Sequence, residues 1–211
     1  MLTKRIIASL LLKNGRLVKG KQCQNHRDAG SPVTTVRSLC NQGVDEIILL
    51  DISETAPNLD LLEALADGST VPLTFGGGIR DREAAREAFQ RGADKVYLGG
   101  SNLALARSLS DLWGTQAIVL GSNGEIPDWP GELRLLDVAR EGTRQGFGLQ
   151  IPRRRAPTII EGGVGNLNHI TEAFKAGADA VALGTMLTFG DNNILKIKRH
   201  LKARGFPMRF T

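Results

Sequence analysis

The sequence predicts an α/β protein, an eight-stranded (β/α) barrel, and three observations carry that prediction. Short apolar runs alternate with amphipathic 3.6-period segments along the chain. The second half repeats the first. Glycine-rich turns follow the apolar runs where strands hand over to helices.

In chain order the expected strands are Arg5–Leu12, Glu46–Ser53, Val71–Phe75, Lys95–Leu98, Ala117–Gly121, Leu133–Val138, Thr158–Ile160 and Ala180–Leu183. Near-continuous apolar runs of this kind suit a parallel sheet covered on both faces. Helices are expected at Val33–Gln42, Asn58–Ala66, Arg82–Arg91, Asn102–Trp113 and Leu167–Ala176. The first strand, in RIIASLLLKNGRLVKG, runs into what reads as a charged, glycine-punctuated loop.

The repeat aligns Pro72–Gly100 with Pro157–Thr185 at an offset of 85 residues, with 12 of 29 positions identical. Leu49–Ile52 (LLDI) likewise answers Leu135–Val138 (LLDV). Two halves of four strand–helix units, about 1–113 and 114–211, close into a barrel without sheet edges, so 1–211 reads as a single domain. The wall is uneven. Only SNGEIPDWPGE separates the fifth and sixth strands, and Pro127, Pro130, Gly124 and Gly131 forbid a helix there. The fifth helix is therefore expected to be missing. The sixth is expected to be shortened, because Pro152 interrupts LQIPRRR. Trp113 reads as helix packing, and Trp129 as a plug for the gap.

Composition narrows the function. The charge of +5 permits nucleic acid or anionic small molecules, but the cations are scattered, apart from Arg153–Arg155, and aromatics make up 5%. That favours small anions over nucleic acid. No apolar run approaches the roughly 20 residues of a membrane span, and no signal peptide is evident. Cys23 and Cys40 form no CxxC, which points to a reduced, cytoplasmic protein. His26, His169 and His200 lack metal-ligand spacing, and neither metal nor cofactor is expected.

Two loops, FGGGIR at Phe75–Arg80 and EGGVGN at Glu161–Asn166, follow strands and open helices. Backbone N–H groups freed of side chains can cradle phosphate. Two such loops related by a repeat point to a ligand with two phosphates. The candidates are Gly77, Gly78, Gly99 and Gly100 in one half, and Gly162, Gly163, Gly184 and Thr185 in the other.

On KRII at Lys4–Ile7, KNGRLVKG at Lys13–Gly20, RDAGSPV at Arg27–Val33, LLDI, GGGIR at Gly76–Arg80, GADKV at Gly92–Val96, REGTRQGF at Arg140–Phe147, EGGVGN and LKARGFPMR at Leu201–Arg209, the chain resembles the cyclase subunits of imidazole glycerol phosphate synthase. These are barrels of histidine biosynthesis. The resemblance implies a partner glutaminase whose ammonia crosses the barrel. At the mouth it would cleave and cyclise a bis-phosphorylated aminoimidazole carboxamide ribonucleotide, giving imidazole glycerol phosphate and a purine precursor. The family's acid and base are two aspartates, and their places fall on Leu11 and Asn123 here. Leucine cannot move a proton, and an amide does not titrate at neutral pH.

The same resemblance places Glu141 beside a phosphate where the family has aspartate, fits Gly142 to that phosphate site, and puts Gly99 where the family has asparagine. Lys19 matches a lysine tied to catalysis, and Asp51 is the surviving carboxylate that the family points at the mouth. Arg5, Glu46, Lys95 and Glu132 match the charged ring at the ammonia entrance, and Asp94 lies by the glutaminase face. The SLLLK pattern at Ser9–Lys13 resembles paralogues that serve sugar amidation in surface-polysaccharide synthesis, in partnership with a glutaminase. Three readings stand: that amidation partner, a drifted histidine-pathway cyclase in which Asp51 or Glu141 moves protons, and a non-catalytic barrel.

Overall fold

The computed structural model describes residues 3–188 and 193–210. The eight expected strands are all present: β1 (Arg5–Lys13), β4 (Glu46–Asp51), β5 (Leu73–Gly76), β6 (Lys95–Leu98), β7 (Ile118–Ser122), β8 (Glu132–Leu136), β9 (Thr158–Glu161) and β10 (Ala180–Leu183). Each pairs in parallel with the next, and β10 pairs with β1 to close the barrel. The five expected helices are α1 (Pro32–Asn41), α2 (Leu59–Asp67), α3 (Arg82–Gln90), α4 (Leu103–Trp113) and α5 (Leu167–Lys175). Asn58, Asp81 and Asn166 cap α2, α3 and α5 by accepting backbone N–H groups.

Two elements depart from expectation. The loop after β1 is a hairpin, β2 (Arg16–Lys21) and β3 (Gln24–Gly30), which extends β1 antiparallel beyond the barrel. Asn14 and Gly15 make its turn, both at positive φ (50° and 75°), the conformation an Asn-Gly pair favours between strands. After β10 come a short α6 (Thr185–Thr188) and an amphipathic α7 (Ile194–Lys202), which buries Ile194, Ile197 and Leu201.

No helix lies between β7 and β8, and Trp129 is buried in the main core there. Its indole N–H donates to the Glu132 carbonyl at 3.1 Å, and Arg154 donates to the carbonyls of Trp129 and Gly131. Between β8 and β9 the expected shortening goes further: residues 137–157 form turns and no helix. The wall beside β7–β9 is therefore loops fastened by Trp129 and Arg154.

The outward side chains of the barrel strands join the helices in one large apolar core. The inward ones form a separate, smaller cluster that includes Ile7, Ile48, Leu50, Val119 and Ile159. Alternation and register sort the inward residues into layers drawn from alternate strands. From the base these are Glu46, Lys95, Glu132 and Ala180; then Ile7, Thr74, Val119 and Ile159; then Ile48, Tyr97, Arg134 and Ala182; then Ser9, Gly76, Gly121 and Glu161.

Candidate functional site

At the base of the barrel, the four ring residues meet. Arg5 donates to Glu46 and to Glu132, each at 2.5 Å, and Lys95 donates to the same two carboxylates at 3.0 and 2.9 Å. Two cations and two anions alternate, so no buried charge is left unpaired. Burial alone would push the Glu132 carboxyl up; Arg5 and Lys95 outweigh it and hold it below the usual carboxylate range. Burial likewise opposes charge on Lys95, and Glu132 and Glu46 outweigh it, raising the ammonium.

At the opposite end, the second-half loops converge. Gly162 and Gly163 both lie at positive φ (107° and 77°), as do their repeat counterparts Gly77 and Gly78 (90° and 76°). A Cβ on Gly162 would lie 2.4 Å from the Asp137 carbonyl oxygen, and one on Gly77 1.9 Å from that of Asp51. The repeat thus uses one device twice: a strand-end aspartate whose backbone presses on the following glycine turn.

Lys19, Glu141, Gly142, Gly162, Gly163, Gly184 and Thr185 line one small cavity of about 20 Å³. Lys19 enters it from β2, is buried, and hydrogen-bonds Glu141. The Cys23 N–H donates to the other Glu141 oxygen at 3.1 Å. Gln22 donates its backbone N–H to the Glu141 carbonyl at 3.0 Å, so the hairpin lies across this half of the mouth. The cavity has room for about one water, with Lys19 in its wall.

The first-half candidates are not gathered in the same way. Gly99 and Gly100 line a much larger cavity, about 770 Å³, with Tyr97, Asn123, Glu125, Asp128 and Leu136. It lies where the fifth helix is missing. Gly77 and Gly78 stand outside it, against Asp51 and Pro57. Leu11 packs against the inner apolar cluster and lines a third cavity of about 150 Å³ with Ser9 and Lys19. Asn123 is exposed.

Asp51 is buried, and both its oxygens accept backbone N–H groups, from Ser53 at 2.9 Å and Asn58 at 3.1 Å. Asp137 does the same for Arg140 and Gly148. These carboxylates shape loops.

One cluster escaped sequence reading. Arg134, on β8, is fully buried inside the barrel; its Nε donates to Glu161 at 2.7 Å and its Nη1 to the Tyr97 hydroxyl at 3.1 Å. The guanidinium also lies 5.0 Å from the centre of the Tyr97 ring. Burial works to raise the Glu161 carboxyl, but Arg134 outweighs it and holds it low. The signal was an arginine inside the apolar strand ELRLL. Among the described residues no group of His, Cys, Asp or Glu could hold a metal ion, and no helix is long and apolar enough to cross a membrane.

The chain matches the family described as "Histidine biosynthesis protein" over residues 5–124 and 130–193. The break between those segments falls in the helix-free wall. "Imidazole glycerol phosphate synthase subunit HisF" of Thermococcus gammatolerans is 36% identical, covering 99% of both chains. The proteins of that name from Pyrococcus furiosus and a Thermotoga species are each 33% identical over 99% of this chain, and 99% and 98% of their own lengths. A closed barrel, a doubled glycine-turn device and similarity from end to end agree: the chain belongs to the histidine-biosynthesis barrel family, with the HisF cyclase subunits among its relatives.

Proposed function

We propose that this barrel works beside a class I glutaminase, takes ammonia at the ring end, and binds a phosphorylated sugar or ribonucleotide at its mouth. Its chemistry is redirected toward sugar amidation, with the family's cyclase activity weak or lost. The observation that carries this is the contrast between the barrel's two ends. Arg5, Glu46, Lys95 and Glu132 form a complete ring at the base. At the mouth, apolar Leu11 and the amide of Asn123 stand where the resemblance puts an acid and a base. Each such group is worth about 10²–10⁴-fold in rate.

The drifted-cyclase reading would enlist Asp51 or Glu141. Asp51 is committed to two backbone donors, and Glu141 to Lys19 and the Cys23 N–H. In this arrangement both carboxylates hold protein groups in place. For phosphate, Lys19, Gly162, Gly163, Gly184 and Thr185 converge on one cavity that now holds about one water, so a bound phosphate requires Lys19 to leave Glu141 and the hairpin to lift.

The test is ammonium-dependent turnover of the bis-phosphorylated aminoimidazole carboxamide ribonucleotide by the purified chain and by a Leu11→Asp/Asn123→Asp variant. The natural chain is expected to be silent and the variant to gain turnover. Turnover by the natural chain would restore the histidine-pathway cyclase. Silence from both, together with no co-elution with a class I glutaminase subunit, would favour the non-catalytic barrel.

A further inference from the structure

Above the basal ring the barrel axis meets a second charged layer that no family expectation covered. Tyr97, Arg134 and Glu161 come from β6, β8 and β9, and hydrogen bonds through Arg134 join them inside the barrel. The repeat shows how space was made for them. Glu161 answers Gly76, and Tyr97 answers Ala182, at the offset of 85. Each half thus pairs a large inward residue with a small one, in opposite order.

The missing side chains are where Tyr97 lies. A Cβ on Gly121 would be 2.0 Å from the Tyr97 hydroxyl oxygen, and one on Gly76 2.8 Å from the Tyr97 Cβ. Arg134 stands on β8 directly across from Gly121 in register, and Glu161 across from Ala182. Tyr97 therefore occupies the inward space left free by two glycines on the strands flanking β6, with the Arg134 guanidinium against its ring, while Ile48 and Ala182 complete the same layer. Beneath them, Ile7, Thr74, Val119 and Ile159 are each no more than 1% exposed.

We infer that Tyr97, Arg134 and Glu161 form an internal barrier across the barrel axis, separate from the basal ring, with Tyr97 as its movable leaf. Tyr97 also lines the cavity of about 770 Å³ beside β6–β8, which gives its ring somewhere to swing. Arg134 lacks that freedom: it is held by Glu161 on one side and Tyr97 on the other. A small molecule such as ammonia that enters at the ring reaches the mouth only when Tyr97 moves. The identity of the traveller rests on the proposed glutaminase partnership; the barrier does not.

Thiol protection tests it without any partner or ligand. Val119, one layer below the barrier and fully buried, becomes the reporter as Val119→Cys in a Cys23→Ser/Cys40→Ser chain. Methyl methanethiosulfonate, small and uncharged, is the probe. The folded reporter chain is expected to react at least about 100-fold more slowly than the same chain in denaturant, as for a group exposed only by local opening. Adding Tyr97→Ala should speed the reaction about tenfold or more while circular dichroism and melting show a folded barrel. Where that variant melts too low, Tyr97→Val removes the ring while keeping a β-branched strand residue, and serves the same comparison. Rapid labelling of the reporter chain, or a folded Tyr97 variant that labels no faster, would overturn the barrier. Either result leaves the glutaminase reading to its own test.

Discussion

Replacing Arg134 with leucine tests whether the interior charge pair is held by mutual compensation. The substitution leaves Glu161, about 5% exposed inside the barrel, without the cation that hydrogen-bonds it, and with only the weaker pull of Lys19, itself paired with Glu141. A carboxylate so placed protonates rather than stays charged. In the unfolded chain the same group titrates near about 4.3, so protonating it in the folded state at pH 7 costs about 1.4 kcal/mol per pH unit, or about 3.7 kcal/mol. That agrees with the about 3–5 kcal/mol lost when one partner of a buried pair is removed. With a urea slope of about 2.5 kcal/mol/M, the unfolding midpoint falls by about 1.5 M. The loss carries a pH signature. In the variant the folded-state pKa lies above the unfolded one, so destabilisation shrinks as pH falls toward the unfolded value. It should be only about 1 kcal/mol at pH 5. A double Arg134→Leu/Glu161→Gln chain should recover much of the stability at pH 7 and lose the pH dependence. Urea titrations at the two pH values decide it. A loss at pH 7 below about 1 kcal/mol, or one that ignores pH, would refute the reasoning.

Other expectations follow from the same geometry. The ring contributes stability above the unfolded pKa of Glu132 and loses it as pH falls through that residue's lowered folded value; Lys95, raised, contributes below its unfolded pKa and loses it as pH rises through its folded value. Melting curves of the natural chain and Glu132→Gln should differ most between those limits and converge in acid. Gly162→Ala puts a Cβ 2.4 Å from the Asp137 carbonyl oxygen at φ 107° and should cost about 1–3 kcal/mol in thermal denaturation. Gly99→Ala meets nothing within 4 Å and should leave the melting temperature almost unchanged. Trp129→Ala removes the anchor of the helix-free wall. It should cost about 3–5 kcal/mol and speed tryptic cutting at exposed Arg153 and Arg155.

All eight barrel strands were legible because a parallel strand covered on both faces is apolar almost throughout, as in IILL of β4 and IVL of β7. The missing fifth helix was legible because Pro127 and Pro130 leave no helical option. The hairpin was missed although KNGR carries its signal, because the polar β2 and β3 look like loop when no barrel wall covers them. The ring was placed through family resemblance, and the structure shows its four members meeting. Gly162, Gly163 and Gly184 were named from the glycine loop and a strand end, Gly142 from the resemblance, and the structure gathers them with Lys19. Arg134 stood out as a charge within ELRLL, but its meeting with Tyr97 and Glu161 was beyond reach. In a strand buried on both faces, alternation does not tell which face looks down the axis, and the cluster needs three strands in register.

The wall of loops also bears on how the chain assembles. The N-terminal half closes its crossovers with α1–α4, which can begin to form from local contacts. Around β8 the crossovers at 123–131 and 137–157 have no such help, so their closure entropy is met only when β7, β8 and β9 pair. On this account β8 is seated late, and it brings Glu132 and Arg134 with it. The basal ring and the interior pair would then be completed together at the end of folding. Weakening either should leave the folding rate nearly unchanged and hasten unfolding, so the two charged closures of the axis double as the barrel's kinetic lock.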